Sequence, residues 1–304
     1  MGRELPSGRQ FELVSGRHRA TVVEVGGGLR AYSVDEVDLL DGYREDEHCT
    51  GARGLPLVPW PNRIDNGTYT FDGTEYQVPL TEPERSNAIH GFLRWRNWTA
   101  RAHAADRVEL GTLLHPMMGY PFTLDVSVVY TLDQGGLAVH TTATNLGDRP
   151  APYGTGQHPY LTVGTDLVDS ATLRLAAATW LPTDERGLPT GEVPVQGSPY
   201  DFRAGRQIGP QEVDHTFTDL TRDSDGLAWV HVSGPDGRRV EVWVGAGYPF
   251  VEIYTAHTQP APYYRRGLGV EPMTCAPNAF RSGHGLRRLE PDESVTTSWG
   301  LRPG

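Results

Sequence analysis

Apolar and polar residues exchange places at every second position along most of this chain. Runs such as "RQFELVSG", "HRATVVEVGG", "TYTFDGTEYQVPL", "TLDVSVVYTLDQGGLAVHTTATNL", "LAWVHVSGPDGRRVEVWVG" and "FVEIYTAH" share that two-residue period. A period of two, carried by Val, Tyr, Thr and Trp, places one face of an extended segment on a core and turns the other away from it. Compact turns join several of the runs. Asp-Gly, Gly-Gly or Pro-Asp-Gly stands between alternating halves in "FDGTEY", "TLDQGGLAV" and "SGPDGRRV", which predicts β-hairpins. No window of a dozen residues carries a 3.6-residue stripe, and the nearest, "NAIHGFLRWRNWTARAHAA", is broken by Gly91. The chain is therefore expected to be all-β, a large antiparallel β-sandwich of two sheets with little helix. Its 36 Gly and 24 Pro are spread evenly through 304 residues, so residues 1–304 are expected to form a single domain. A ligand would lie across one sheet face or in a groove between loops.

Charge narrows the partners. A net charge of −11 without clustered basic residues argues against nucleic acid and anionic membrane, whose binding draws on Lys and Arg releasing counterions. All 27 basic residues are arginine, which removes imine chemistry and any lysine nucleophile. Cys49 and Cys275 are too few for a disulfide framework and lack metal-site spacing, so both are expected to be free thiols. The stretch "MGRELPSGRQFELVSG" has no apolar signal-like region, and no run approaches the ~18 apolar residues of a membrane span. A cytoplasmic chain, monomeric or homodimeric, is expected.

Polar residues beside Gly, Pro or Trp mark the candidate site. In "GLGVEPMTCAPNAF", Glu271 follows an apolar run and precedes Pro272. Proline cannot donate the next ladder hydrogen bond, so the run reads as the end of a buried strand, with Glu271 where core meets opening. A carboxylate there is partly desolvated and can serve as a general base; the plain alternative is a salt bridge to an arginine. In "LVPWPNRIDNGTYTFDG", Asn62 and Arg63 follow Trp60. Either this is a surface turn, or the arginine donates to a sugar while the ring stacks on its apolar face. His90, before Gly91, reads as a core histidine or a ligand contact. His158 in "APYGTGQHPYLTVG" is the better catalytic candidate, since glycines let backbone approach a ligand and Pro159 fixes the exit. In "QEVDHTFTDL", Asp214 or His215 either caps a turn or, for Asp214, accepts from ligand hydroxyls. The histidines form no close ligand pair, so spacing suggests no metal, and no nucleophile elbow or phosphate loop is present.

Taken in order, "PWPNRIDNGTYTFDG", "NAIHGFLRWRNW", "GTGQHPYL", "VDHTF" and "GVEPMTCAPNAF" resemble the aldose 1-epimerase (galactose mutarotase-like) family from about residue 20 onward. The wording is closest to the bacterial branch that includes sulfoquinovose mutarotase-like proteins. The resemblance implies a supersandwich fold and cofactor-free interconversion of the α and β anomers of a free hexose. It implies Glu271 as general base and His158 as general acid, with Asn62, Arg63, His90 and Asp214 binding the sugar. Such chemistry asks the pair to begin in opposite protonation states, Glu271 ionised and His158 protonated. Three alternatives stand beside it. A hexose-phosphate 1-epimerase would need a cationic pocket, for which Arg265 and Arg266 or Arg94 and Arg96 are available, and the same arginines could hold a sulfonate. A non-catalytic carbohydrate binder would have no use for an acid and a base. A glycoside hydrolase usually needs two facing carboxylates, where the sequence offers one strong candidate.

Overall fold

The structure, a computed structural model, describes residues 4–304. Strands account for 48% and helix for 4% of the structure, and the hairpins lie where the turn residues put them. Thr68–Phe71 pairs with Thr74–Gln77, Leu124–Asp133 with Gly136–Asn145, and Ala228–Ser233 with Arg239–Val244, all antiparallel. The stretch that came nearest to a helical pattern instead forms the strand Asn87–Ile89, a single 3₁₀ turn at Leu93–Trp95 and the strand Thr99–His103. Among the described residues, no helix is long and apolar enough to cross a membrane.

Two large sheets carry the architecture. One has nine strands, with Leu124–Asp133, Gly136–Asn145 and Ser294–Pro303 near its middle. Leu124–Asp133 and Gly136–Asn145 alternate buried and partly exposed residues almost without a break, as expected for a sheet with one face on a core. The other has eight strands and runs through Ala177–Leu181, Asp214–Leu220, Phe250–Tyr254 and Leu268–Met273. A four-stranded sheet begun by Gln10–Ser15 and three two-stranded pieces complete the set. Side chains from both large sheets, including Val126, Val139, Trp299, Phe217, Val251, Ile253 and Val270, join in one hydrophobic cluster.

The eight-stranded sheet differs from its partner in one respect that positions the site. Phe250–Tyr254 and Leu268–Met273 are buried at every residue, so both of their faces are covered. Val251, Ile253 and Val270 face the shared core. By the two-residue period, Phe250, Glu252, Tyr254 and Glu271 lie on the opposite face. Leu268–Met273 does not stop before Pro272, as its sequence suggested, but continues one residue beyond it. Pro272 stands opposite Val251, and Glu271 sits within the strand rather than at its end.

Candidate active site

A cavity of about 250 Å³ lies over that outer face, and the six residues that the family resemblance assigns to catalysis and sugar binding all line it: Asn62, Arg63, His90, His158, Asp214 and Glu271. Their supports come from separate parts of the chain. His158 lies between the short strands Gly156–Gln157 and Tyr160–Leu161, which both pair with Leu268–Met273. Its backbone is anchored where its N–H donates to Leu55 O (3.1 Å) and its carbonyl accepts from Gly54 N (2.8 Å). The imidazole stacks on Tyr160, with ring centroids 4.9 Å apart and an interplanar angle of 11°. His158 Nε2 is thereby held 3.1 Å from Glu271 Oε1, while Glu271 Oε2 has no hydrogen-bond partner among the described residues.

Asn62 and His90 form a second unit. Both adopt left-handed backbone, with φ of 53° and 61°, and their backbones are linked by His90 N donating to Asn62 O at 2.9 Å. Asn62 N–H donates to His90 Nδ1 at 3.0 Å. A ring nitrogen that accepts carries no proton, so the proton of neutral His90 belongs to Nε2. Burial, reinforced by Arg94, His158 and Arg63, holds the His90 pKa well below its ordinary value, which makes the ring a fixed neutral donor. Gly91 makes the turn possible: at φ 64° a Cβ would fall 1.9 Å from Val58 O, so any side chain there would displace His90.

Arg63 is committed more fully than its sequence position suggested. Its Nε and Nη2 donate to both Glu82 oxygens at 2.9 and 3.1 Å, and Nη2 lies 3.7 Å from Asp214. The guanidinium therefore organises two carboxylates at the cavity wall. Asp214 opens the strand Asp214–Leu220 rather than capping a turn. His215, its neighbour, turns into an aromatic cluster with Trp180 and Tyr200. Trp60, which the sequence reads as part of a surface turn or as a stacking platform, is 2% exposed and packs edge-on against Phe92 and Phe280. Trp95, 55% exposed at the cavity, offers the ring that Trp60 does not.

Electrostatics at the centre run against the expected resting charges. Burial, aided by the Arg53 and Arg94 cations, pushes the His158 pKa down to about 3. Burial, with Glu252 and Asp214 adding negative charge, pushes the Glu271 carboxyl well above the usual range. With one proton between them, the favoured arrangement is a neutral carboxyl donating to His158 Nε2. This form has the same proton count as an ionised Glu271 facing a protonated His158, and one transfer across 3.1 Å interconverts the two. Glu252, the second carboxyl, escaped the sequence reading, because "FVEIYTAH" has no Gly or Pro to set it apart from a core strand.

His90, His158 and Glu271 bring donor atoms within 4.8 Å of one another, a grouping that sequence spacing did not suggest. The donor set fits a metal poorly. His90 Nδ1 is occupied by the Asn62 N–H, and Nε2 holds the proton that a ligand nitrogen would have to lose.

Of the four arginines considered for an anionic substituent, Arg265 is held by Asp169 (2.8 Å) and the carbonyls of Gln211 and Gly209, and Arg266 by Asp41 (2.5 Å) and the carbonyl of Gly42. Arg96 is exposed and, like these two, is not part of the cavity wall. Arg94 lines the cavity. Its Nη2 donates to Ile89 O (2.9 Å), its guanidinium lies 4.3 Å from the Trp95 ring centroid, and its Nε is buried with no hydrogen-bond partner among the described residues. Among the described residues, no carboxylate lies within 4.0 Å of it, and burial lowers its pKa to about 10.

Residues 9–302 match the family model for aldose 1-epimerase. The chain belongs to the aldose 1-epimerase family. It is 36% identical over 285 residues to the uncharacterized protein YihR of Escherichia coli K12, covering 93% of this chain and 90% of that one. It is 29% identical over 282 residues to human galactose mutarotase, covering 84% and 80%. Among solved structures, the aldose epimerase homologue of C. elegans superimposes with a TM-score of 0.88 at 20% identity, over 97% of this chain and 98% of the other. Galactose 1-epimerase from Lactobacillus acidophilus does so at 0.80 and 19%, over 96% and 94%. The two structural matches bear on the fold alone. The sandwich read from the sequence is thus a mutarotase-like fold, and the enzyme is an isomerase by family.

Proposed function

We propose that this aldose 1-epimerase interconverts the α and β anomers of a free hexose by acid–base ring opening and reclosure, within one domain spanning residues 1–304. The observation that carries the reading is the contact between His158 Nε2 and Glu271 Oε1 at 3.1 Å beside an unpartnered, buried Glu271 Oε2. Transfer of the shared proton to His158 gives a carboxylate and an imidazolium. Glu271 then takes the C1 hydroxyl proton while His158 protonates the ring oxygen, and the C1–O5 bond breaks to leave an aldehyde. Rotation about C1–C2 presents the other carbonyl face, and reclosure returns both protons. His90 Nε2–H donates to the sugar, Asn62 supports that ring, and Asp214, steadied by Arg63, accepts from sugar hydroxyls. General acid and base catalysis each contribute roughly 10²–10⁴-fold.

A second observation refines the substrate. Arg94 is a half-buried cation at the cavity with no carboxylate partner among the described residues, and a cation so placed gains from an anionic ligand. This favours a hexose bearing a sulfonate or phosphate over a neutral one. Anomer exchange measured by magnetisation-transfer NMR on glucose, galactose, glucose 6-phosphate and sulfoquinovose tests both statements. Glu271→Gln should abolish acceleration on every sugar, and full activity in that variant would sink the base assignment. Arg94→Gln should remove a preference for the charged sugars of roughly 10- to 100-fold, the scale of one charge-assisted hydrogen bond. Equal rates on neutral and charged sugars in the unaltered enzyme would refute the refinement.

A further inference from the structure

Glu252 has no part in the chemistry just described, yet it stands beside the group that carries it. In the antiparallel ladder between Phe250–Tyr254 and Leu268–Met273, Glu252 is the direct partner of Glu271. On its other side it is the direct partner of Thr216. Directly opposed residues project to the same face, with Cβ atoms about 4.5–5.5 Å apart. Thr216, Glu252 and Glu271 therefore form one row across three strands, with His158 at its end. Each of the two glutamates is 2% exposed, so little water separates their charges.

The partners of Glu252 favour its ionised form over that of Glu271. Thr216 Oγ1 donates to Glu252 Oε2. Arg63 lowers the pKa of both glutamates, while Asp214, on the strand Asp214–Leu220, raises that of Glu252 through its charge and through a hydrogen bond, so the Thr216 hydroxyl is the partner that sets Glu252 apart. Among the described residues, Glu271 has no hydroxyl or guanidinium hydrogen-bond donor and faces only the His158 nitrogen. Burial raises the pKa of both carboxyls, and each is raised further by a neighbouring acid. One proton among these groups thus rests on the Glu271 side of the row.

We propose that Glu252 is a positioning residue for the acid–base pair: a second carboxyl beside Glu271 that gives up its proton first, so that its negative charge keeps the shared proton on Glu271 and His158. Glu252 touches neither sugar nor reacting bond; it sets how strongly the pair retains a proton. The consequence has a definite sign. The working enzyme is the singly protonated pair, and its activity falls when the pair gains a second proton at low pH or loses its only one at high pH. A negative neighbour favours protonation in both steps, so Glu252 moves both limbs of the pH profile upward. This inference rests on the assignment of Glu271 and His158 as base and acid.

The test is the pH dependence of kcat/KM for anomer exchange in Glu252→Gln, which keeps the side-chain size and removes the charge. Both limbs should move to lower pH together, by roughly 1–2 units, within the range that a single neighbouring charge produces. Glu252→Asp, which keeps a charge in the row, should stay closer to the unaltered profile than Glu252→Gln does. Thermal unfolding of each variant separates folding from function. A profile in Glu252→Gln that is lower at every pH with unmoved limbs would overturn the proposal, as would a shift to higher pH. Should Glu271→Gln retain activity, the underlying acid–base reading fails; an inactive Glu271→Gln beside an unmoved Glu252→Gln profile defeats only the role of Glu252.

Discussion

Replacing Arg53 by methionine tests how the interior behind His158 controls it. The rings and cations there form one pile. His158 stacks on Tyr160, the Arg53 guanidinium lies 4.0 Å from the Tyr160 centroid and 4.3 Å from that of Tyr263, and Arg266 lies 4.5 Å beyond Tyr263. Arg53 Nη1 donates to Asp41 Oδ2 (2.8 Å) and Asp41 O (3.1 Å), with both side chains almost wholly buried. Breaking such a buried pair costs about 3–5 kcal/mol when the survivor is left alone. Asp41 is not left alone, because Arg266 Nε still donates to it. The cation–π contacts, at about 0.5–2 kcal/mol each, are partly replaced by sulfur–aromatic contacts of about 0.3–1.5 kcal/mol. The expected loss is thus near the lower end, about 3 kcal/mol. With an unfolding entropy of about 2.1 cal/mol/K per residue over 304 residues, that is a fall in Tm of roughly 5 °C.

Asp41→Asn should cost more, because it strands the Arg53 cation, whose Nε and Nη2 already lack hydrogen-bond partners among the described residues. Differential scanning fluorimetry or calorimetry orders the two variants. The same substitution has a functional signature. After burial, Arg53 is the foremost influence resisting protonation of His158, so Arg53→Met should let the pair hold its proton more strongly and shift the pH profile of anomer exchange upward. That direction is opposite to the one expected for Glu252→Gln. A milder effect for Asp41→Asn than for Arg53→Met, or a downward shift in Arg53→Met, would refute the reasoning.

Two further substitutions probe the sugar-binding wall. His90→Asn preserves a residue type that tolerates left-handed backbone and an acceptor for the Asn62 N–H. A histidine whose folded pKa is depressed contributes stability above its unfolded value, near 6.5, and loses it as pH falls. Urea unfolding should show the stability of the unaltered enzyme relative to His90→Asn falling below about pH 6.5, at up to about 1.4 kcal/mol per pH unit; parallel curves would show that His90 is not held neutral. Arg63→Lys removes the two-pronged grip on Glu82, which a point charge cannot reproduce, and should lower kcat/KM for anomer exchange by at least tenfold. An unchanged rate would mean that Arg63 does not position the cavity wall.

How much of this was legible in the sequence follows from how each residue is placed. The strands and hairpins were readable because their causes are local: an alternating period and a turn residue at each reversal. Glu271, His158, His90 and Asn62 stood out because Gly, Pro or Trp interrupts the period beside them, and the cavity gathers all four. Trp60 misled because a buried ring and a sugar platform look alike in a Pro-Trp-Pro stretch; only packing against Phe92 and Phe280 separates them. Pro272 suggested a strand end, yet the ladder runs past it. Glu252 and the resting protonation of the pair were not readable at all, since both depend on register. Glu252 and Glu271 belong to different strands, and nothing local to either one names the other. A slip of one residue in that pairing would turn one carboxyl toward Val251, Ile253 and Val270 in the core, where no partner could compensate it. The register that protects the core from a charge is therefore the same register that sets a second carboxylate beside the base.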